Sequence, residues 1–237
     1  MDPGPDGTFV GWADRFAHRL AEREPGLLYA NLGVRGQTAR EVRDTQLERA
    51  LAMRPDVALL VAGVNDLLRP RLRRSELRES LLACYRGLQE AGAQVLSFTM
   101  PDMARVAPVA VALRGRIGFL NEVVREAESS YGVLVVDFAS EPLAGHPALW
   151  YDDRLHGNSE GHRRVAVALA AAVGLTDEDW RDAPPPVSAP LGLARIVRHE
   201  ISWMLTHLTP WVWGRMRHEE YATGGRCKRP ELLPVLA

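Results

Sequence analysis

The sequence predicts an open, doubly wound α/β fold in which helices cover both faces of a parallel sheet. Short apolar runs alternate along the chain with longer segments whose apolar residues recur at helical spacing. One of these runs, VALLVA at residues 57–62, is apolar without interruption, as expected of a strand buried on both faces. At 237 residues, the chain is long enough for one such domain and a tail.

Four strands and five helices are predicted over the first 173 residues. Thr38 can cap the second helix, because Glu41 three residues later completes a capping box, and Pro55 ends that helix. Gly92 and Gly132 end the third and fourth helices. The strands are expected at residues 27–32, 57–62, 94–99 and 133–138, and the helices at residues 11–24, 38–54, 75–91, 114–131 and 159–173.

The order of these elements is unusual, because doubly wound folds normally begin with a strand and this sequence begins with a helix. In the flavodoxin-like strand order 2-1-3-4-5, the first strand lies inside the sheet. The sequence therefore lacks the central strand that would pair with both residues 27–32 and residues 57–62. Losing such a strand is costly, because both of its neighbours keep unpaired backbone groups.

Composition and charge exclude several classes of protein. A formal charge of -1 is not the basic excess of a nucleic-acid-binding protein, so no nucleic-acid partner is expected. The two cysteines, Cys84 and Cys227, do not form the framework of a small disulfide-bonded fold. No apolar run has the length of a membrane span, and residues 1–8 do not resemble a signal peptide. These features predict a cytoplasmic protein.

The composition changes near residue 183, where three consecutive prolines begin a linker. We predict one α/β domain over residues 1–182 and a basic, helical tail over residues 183–237, with a net charge of +3 in the tail. Residues 191–213 have apolar residues at helical spacing and three tryptophans. They could pack back on the core, contact a membrane surface or form a dimer. Residues 224–237 are expected to be a loose terminus.

Two glycine-containing segments follow predicted strands, at the sheet edge where such folds place their sites. In the first, residues 31–36 (NLGVRG), Gly33 allows a tight turn and a backbone N–H directed at a ligand. Gly33 and Gly36 could instead only shape a loop. In the second, residues 63–66 (GVND), the Asn65 amide could donate a hydrogen bond to an oxyanion. Asn and Asp are also common in simple turns.

The third segment precedes the last predicted helix and contains Asp153 and His156. An Asp three residues before a His can accept the imidazole Nδ1–H, which leaves Nε2 as a general base. The alternatives are a turn carboxylate and an ordinary loop histidine. A metal site built on His146, His156 and His162 is a further alternative, although their spacing matches no closed zinc pattern.

Together, the three segments resemble blocks II, III and V of the SGNH (GDSL-type) hydrolases, the family of GDSL-like lipases, acylhydrolases and esterases. The run GWADRFA at residues 11–17 also looks like the segment that follows block I in one bacterial branch of this family. The resemblance extends over roughly residues 7–173. It implies a three-layer α/β/α fold.

The resemblance also implies the chemistry. A serine would attack an ester carbonyl, an acyl-enzyme would form, and water would release the acid. His156 would be the general base, oriented by Asp153; Asp152 could replace Asp153, but the family spacing favours the latter. The Asn65 side chain and the Gly33 N–H would form the oxyanion hole. The substrate would be a small-molecule or lipid ester, and neither cofactor nor metal is implied.

Block I of the family, a Gly-Asp-Ser motif after the first strand, is not found. The first serine of the chain is Ser75, and Thr8 is the only serine or threonine before Gly33. We expect the missing strand and motif to be encoded upstream of Met1, and the 237-residue chain to be inactive for lack of its nucleophile. Two alternatives are a non-catalytic module that binds acyl or acetylated-sugar ligands and a flavodoxin-like cofactor domain. The latter is disfavoured because no phosphate-binding glycine-rich turn is found.

Overall fold

Strands and helices alternate along the chain in the computed structural model, which describes residues 2–3, 9–183, 206 and 227–235. The strands are β1 (Asp2–Pro3), β2 (Phe9–Val10), β3 (Leu28–Asn31), β4 (Val57–Leu59), β5 (Gln94–Phe98), β6 (Leu134–Val136) and β7 (Arg229–Pro234). The α-helices are α1 (Trp12–Ala21), α2 (Ala39–Val42), α3 (Glu48–Ala52), α4 (Val64–Leu67), α5 (Arg74–Glu90), α6 (Arg114–Tyr131) and α7 (Ser159–Ala172).

A parallel sheet with the strand order β4-β5-β6 lies at the centre of the molecule. Leu96 of β5 pairs with Leu59 of β4 and with Leu134 of β6, so the three strands are in register. From Val95 to Phe98, β5 is buried at every position, as a strand covered on both faces should be. The structure confirms the predicted α/β fold with a parallel sheet.

The two faces of β5 contact two different layers of helices. Val95 packs in an apolar cluster with residues of α5 and α6, such as Leu81 and Leu120. Leu96 and Phe98 point the other way and pack with residues of α1 and α7, including Phe16, Val167 and Leu169. This alternation follows from the two-residue period of a strand, and it gives the expected α/β/α layers.

A second, antiparallel pair is formed by β3 and β7. Tyr29 of β3 pairs with Leu233, although the two lie at opposite ends of the sequence. The prediction of a loose terminus over residues 224–237 is therefore wrong for β7. Proline has no N–H to donate to a β-ladder, so a segment that contains Pro230 and Pro234 does not have the sequence pattern of a strand. Both are tolerated here because β7 is an exposed strand.

β3 and β4 belong to different sheets, and among the described strands none pairs with both of them, so the predicted loss of a central strand stays a prediction. The first residue of each strand is exposed: Leu28 is 51% exposed and Val57 is 36% exposed. The two loops that leave the carboxyl ends of β3 and β4 are nevertheless joined by side-chain hydrogen bonds, which are described with the site.

The helix predicted over residues 38–54 is present but contains a π-helical turn, Arg43–Leu47, between α2 and α3. Its N-terminus is capped as predicted. The Thr38 N–H donates to Glu41 Oε2 at 2.7 Å, and the Glu41 N–H donates to Thr38 Oγ1 at 3.3 Å. The cap fixes the start of α2, and therefore the end of the loop that contains Gly33 and Gly36.

Of the predicted tail helix at residues 191–213, only Thr206 belongs to the described residues, so its packing, membrane and dimer alternatives stay predictions. Among the helices that the structure describes, none is long and apolar enough to cross a membrane.

Candidate active site

The loop before α7 holds Asp153 and His156 in direct contact. His156 Nδ1 lies 2.7 Å from Asp153 Oδ2. The other carboxylate oxygen, Oδ1, accepts the backbone N–H groups of Leu155 at 2.9 Å and His156 at 3.0 Å. The imidazole is otherwise open to solvent, with 51% of the side chain exposed. The contact expected from the spacing of the two residues is thus present, and the imidazole bonds Asp153 rather than Asp152.

The charge of Asp153 determines which imidazole nitrogen carries the proton. Partial burial acts to raise the pKa of this carboxyl, but the hydrogen bonds from the His156 ring and from the His156 and Leu155 N–H groups outweigh it and lower the pKa to about 2. Asp153 is therefore ionised at neutral pH and can only accept a hydrogen bond. Nδ1 must be the protonated nitrogen of the neutral ring, which leaves the Nε2 lone pair as a base.

The same loop is fixed to the N-terminus of α7. Asn158 caps the helix by accepting the Gly161 N–H at 3.0 Å, and its amide donates to the Ala148 carbonyl at 2.8 Å. The Asn158 N–H donates to the Leu149 carbonyl at 3.0 Å. A Cβ atom on Gly161 would lie only 2.2 Å from that carbonyl oxygen. Only glycine at this position allows the loop to approach the helix so closely.

Asn65 lies in the first turn of the short helix α4, directly after β4. Gly63 begins this turn with φ of 99°, in the left-handed region that favours glycine. A Cβ atom there would lie 2.8 Å from a Leu120 methyl group and 3.0 Å from a Leu77 methyl group. Gly63 therefore satisfies both a backbone and a packing requirement, and it sets the position of Asn65.

The loops after β3 and β4 are joined by two hydrogen bonds. The Asn65 amide donates to the Gln37 carbonyl at 3.0 Å, and Asp66 Oδ2 accepts the Ala39 N–H at 2.9 Å. Burial raises the pKa of Asp66, and the Ala39 hydrogen bond opposes that rise. These contacts make the two candidate oxyanion loops one structural unit.

Gly33 follows β3, as predicted, but its N–H is already used: it donates to the Asn31 side-chain oxygen at 3.0 Å. Gly36, three residues later, has φ of 82° and space around its Cα. Among the hydrogen bonds of the described residues, none uses the Gly36 N–H. Both glycines were visible in the sequence, but the pattern could not show which N–H is engaged.

Residues 2–164 match the profile of the GDSL-like Lipase/Acylhydrolase family. The chain belongs to this family. Its members are carboxylic ester hydrolases, which agrees with the Asp153–His156 pair. No curated protein matches the chain.

Solved structures show the same fold as this GDSL-family chain. LAE5, an α/β hydrolase from the metagenome of Lake Arreo in Spain, is 21% identical, with a TM-score of 0.58 over 75% of this chain and 90% of its own. Axe2, an acetylxylan esterase from Geobacillus stearothermophilus, is 21% identical, with a TM-score of 0.59 over 73% of this chain and 84% of its own. The acetyl xylan esterase AlAXEase is 21% identical, with a TM-score of 0.58 over 69% of this chain and 90% of its own.

The three histidines of the alternative metal site make separate contacts in this GDSL-family chain. His146 Nδ1 accepts the Ala148 N–H at 3.3 Å, and His162 Nδ1 accepts the Trp12 N–H at 3.2 Å. His156 bonds Asp153 instead. Over the residues that the structure describes, no three His, Cys, Asp or Glu side chains form a group that could hold a metal ion.

Proposed function

We propose that this chain supplies the base and the oxyanion donors for serine-type hydrolysis of carboxylic esters. His156 would take the proton from a serine hydroxyl as that oxygen attacks the ester carbonyl, and would then give it to the leaving alcohol. Water would release the acid from the acyl-enzyme by the reverse proton transfers. The observation that carries this proposal is the 2.7 Å contact between Asp153 and His156 Nδ1, which makes Nε2 the basic nitrogen.

The negative oxygen of the tetrahedral intermediate would be bound by the Asn65 amide and by a backbone N–H of the loop after β3. Gly33 is one candidate for that second donor, and it would have to release Asn31 to act. Gly36 is the other, since its N–H is not used by any described residue. The Asn65–Gln37 contact supports either assignment, because it holds both loops together.

The nucleophile is not assigned to any residue of the 237-residue chain, whose first serine, Ser75, lies in the first turn of α5. We therefore expect this chain to show no turnover of p-nitrophenyl acetate and no covalent labelling by a fluorophosphonate probe. Stoichiometric labelling, located by peptide mass spectrometry, would show that a serine of this chain does serve as nucleophile.

The tautomer of His156 tests the contact between Asp153 and His156 Nδ1, and this test does not need an active enzyme. At neutral pH, the ring ¹⁵N resonances should show a protonated Nδ1 and a bare Nε2. Asp153→Asn should remove this preference, as an amide can donate to Nδ1 instead of accepting from it. His146, whose Nδ1 accepts the Ala148 N–H, is the internal control. A bare Nδ1 in the parent chain would refute the proposed role of His156.

A binding role for acyl or acetylated-sugar ligands is the second candidate, favoured by the fold shared with two acetylxylan esterases. Acetylated xylo-oligosaccharides are the ligands to test first. A ligand at about a hundred times its Kd stabilises the folded state by about 2.7 kcal/mol, which a thermal shift detects easily. The shift should shrink in Asn65→Ala. If no acetylated sugar or short ester raises the Tm, the result counts against substrate binding and against this second role.

A further inference from the structure

A chain of side-chain hydrogen bonds runs from the loop after β3 back into α1. The Gly33 N–H donates to Asn31 Oδ1 at 3.0 Å, and the Asn31 amide donates to the Tyr29 hydroxyl at 3.0 Å. The Tyr29 hydroxyl donates in turn to Asp14 Oδ1 at 3.2 Å. The three hydrogen bonds form a continuous series that begins at the Gly33 N–H and ends at the Asp14 carboxylate.

The carboxylate gives this chain a direction. Burial, together with the nearby charge of Asp14, raises the pKa of the Tyr29 phenol far above its usual value, so the hydroxyl keeps its proton. Its single proton is donated to Asp14, and the phenol oxygen can then only accept. Asn31 must therefore turn its NH₂ group toward Tyr29. Its carbonyl oxygen is left facing the Gly33 N–H, as the structure shows.

The far end of the chain is held by the C-terminal strand. Lys228, just before β7, places Nζ 2.8 Å from Asp14 Oδ2 and donates to the Phe9 carbonyl at 2.5 Å. The Arg229 guanidinium lies over the Tyr29 ring, 5.5 Å from its centre. Lys228 and Arg229 therefore contact this network at Asp14 and at Tyr29, and β7 also pairs with β3, the strand that contains Tyr29 and Asn31.

We propose that Asp14, Tyr29 and Asn31 are positioning residues that hold the turn at Gly33, and that Lys228 supports them from the C-terminal strand. The idea rests on the proposed function, in which this loop provides an oxyanion donor. The network keeps the Gly33 N–H on Asn31 and so determines whether it, or only the Gly36 N–H, is available to substrate. The C-terminal strand thereby helps to position the loop that provides the oxyanion donor.

The test compares three variants by amide NMR. Tyr29→Phe removes the central hydroxyl, and Lys228→Met removes the cation while keeping most of the length of the side chain. Arg49→Met is the matched control: Arg49 donates to the Pro230 carbonyl at 2.9 Å, so it binds the same strand without touching the network. In the first two variants, the Gly33 amide proton should shift upfield and exchange with solvent about two- to tenfold faster, because one net hydrogen bond is weakened.

Arg49→Met should leave the Gly33 amide unchanged. An unchanged Gly33 amide in both Tyr29→Phe and Lys228→Met would overturn the inference, and so would an equal change in Arg49→Met, since strand pairing alone would then explain the result. Lys228→Met carries the test if Tyr29→Phe does not fold. The His156 tautomer is measured in the same samples and depends on a different loop, so failure of the proposed function is recognised separately.

Discussion

Replacing Gly161 with alanine should separate the His156 loop from α7. The new Cβ atom would lie 2.2 Å from the Leu149 carbonyl oxygen, whereas ordinary contacts begin near 3.4 Å. The loop or the helix must therefore move by about 1.2 Å. A backbone oxygen cannot rotate out of the way as the end of a side chain can, and the same oxygen accepts the Asn158 N–H.

The cost of this substitution follows from these contacts. Overpacking of a tight site costs about 1–3 kcal/mol, and loss of the Asn158 hydrogen bond adds about 1 kcal/mol. Alanine returns about 0.5–1 kcal/mol through its higher helix propensity. We expect a net loss of about 1–3.5 kcal/mol, which corresponds to a fall in Tm of about 2–14 °C for a chain of this size.

Differential scanning calorimetry measures the change, and Gly118→Ala provides the matched control. Gly118 lies inside α6, and a Cβ atom there would meet nothing within 4 Å. This control should gain up to about 1 kcal/mol. In Gly161→Ala, the downfield Nδ1–H resonance of His156 should also weaken, as the loop shifts. A Tm for Gly161→Ala within about 1 °C of the parent would refute the claim that the Leu149 carbonyl is fixed.

Two further outcomes follow from the same site. Gly63→Ala should lower the free energy of unfolding, measured by urea denaturation, by about 2–4 kcal/mol, because it combines a left-handed φ with contacts to Leu120 and Leu77. Gly92→Ala, with φ of 90° and open space, should lower it by only about 1 kcal/mol. Equal losses in the two variants would contradict the packing argument. Asp153 has a lowered pKa, so its contribution to stability is complete above about pH 4 and is lost as the pH falls toward 2. Screening limits this contribution to about 1 kcal/mol, and in Asp153→Asn that part of the pH dependence should disappear.

The sequence predicted the helices well where their ends carry local signals. Helix α6 was expected at residues 114–131 and is found at Arg114–Tyr131, because Gly132 ends it in the left-handed conformation that glycine allows. The Thr38–Glu41 capping box is likewise a contact between near neighbours. The prediction of β7 failed for the opposite reason, since its partner β3 lies about two hundred residues away in the sequence and no local pattern shows it.

The candidate site was predictable in part. The spacing of Asp153 and His156 is short enough for the sequence to imply their contact, and the structure contains it. The hydrogen bond that engages the Gly33 N–H depends on the direction in which the Asn31 amide points. That direction is set by Asp14 through Tyr29, a contact between separate elements, and a one-dimensional pattern does not contain it. The catalytic roles of all these residues stay predictions.

Buried polar side chains lie where the strands of the central sheet end. The Ser97 hydroxyl donates to the Leu60 carbonyl at 2.8 Å, at the end of β4. The Asn121 side chain forms two hydrogen bonds with the backbone of Met100, just after β5: it accepts the N–H at 2.8 Å and donates to the carbonyl at 2.9 Å. The Thr99 hydroxyl accepts the Ala139 N–H at 2.9 Å, beyond the end of β6.

These three groups occupy positions where an apolar side chain would avoid the cost of desolvation. Ser97, Thr99 and Asn121 are each at most 4% exposed, and each is satisfied by hydrogen bonds to backbone groups of the segments that leave the sheet. Apolar packing is non-directional and leaves neighbouring backbones free to slide, whereas a hydrogen bond fixes a distance and an angle. The segments that directly follow β4, β5 and β6 are therefore held by directional contacts that the apolar clusters alone do not provide.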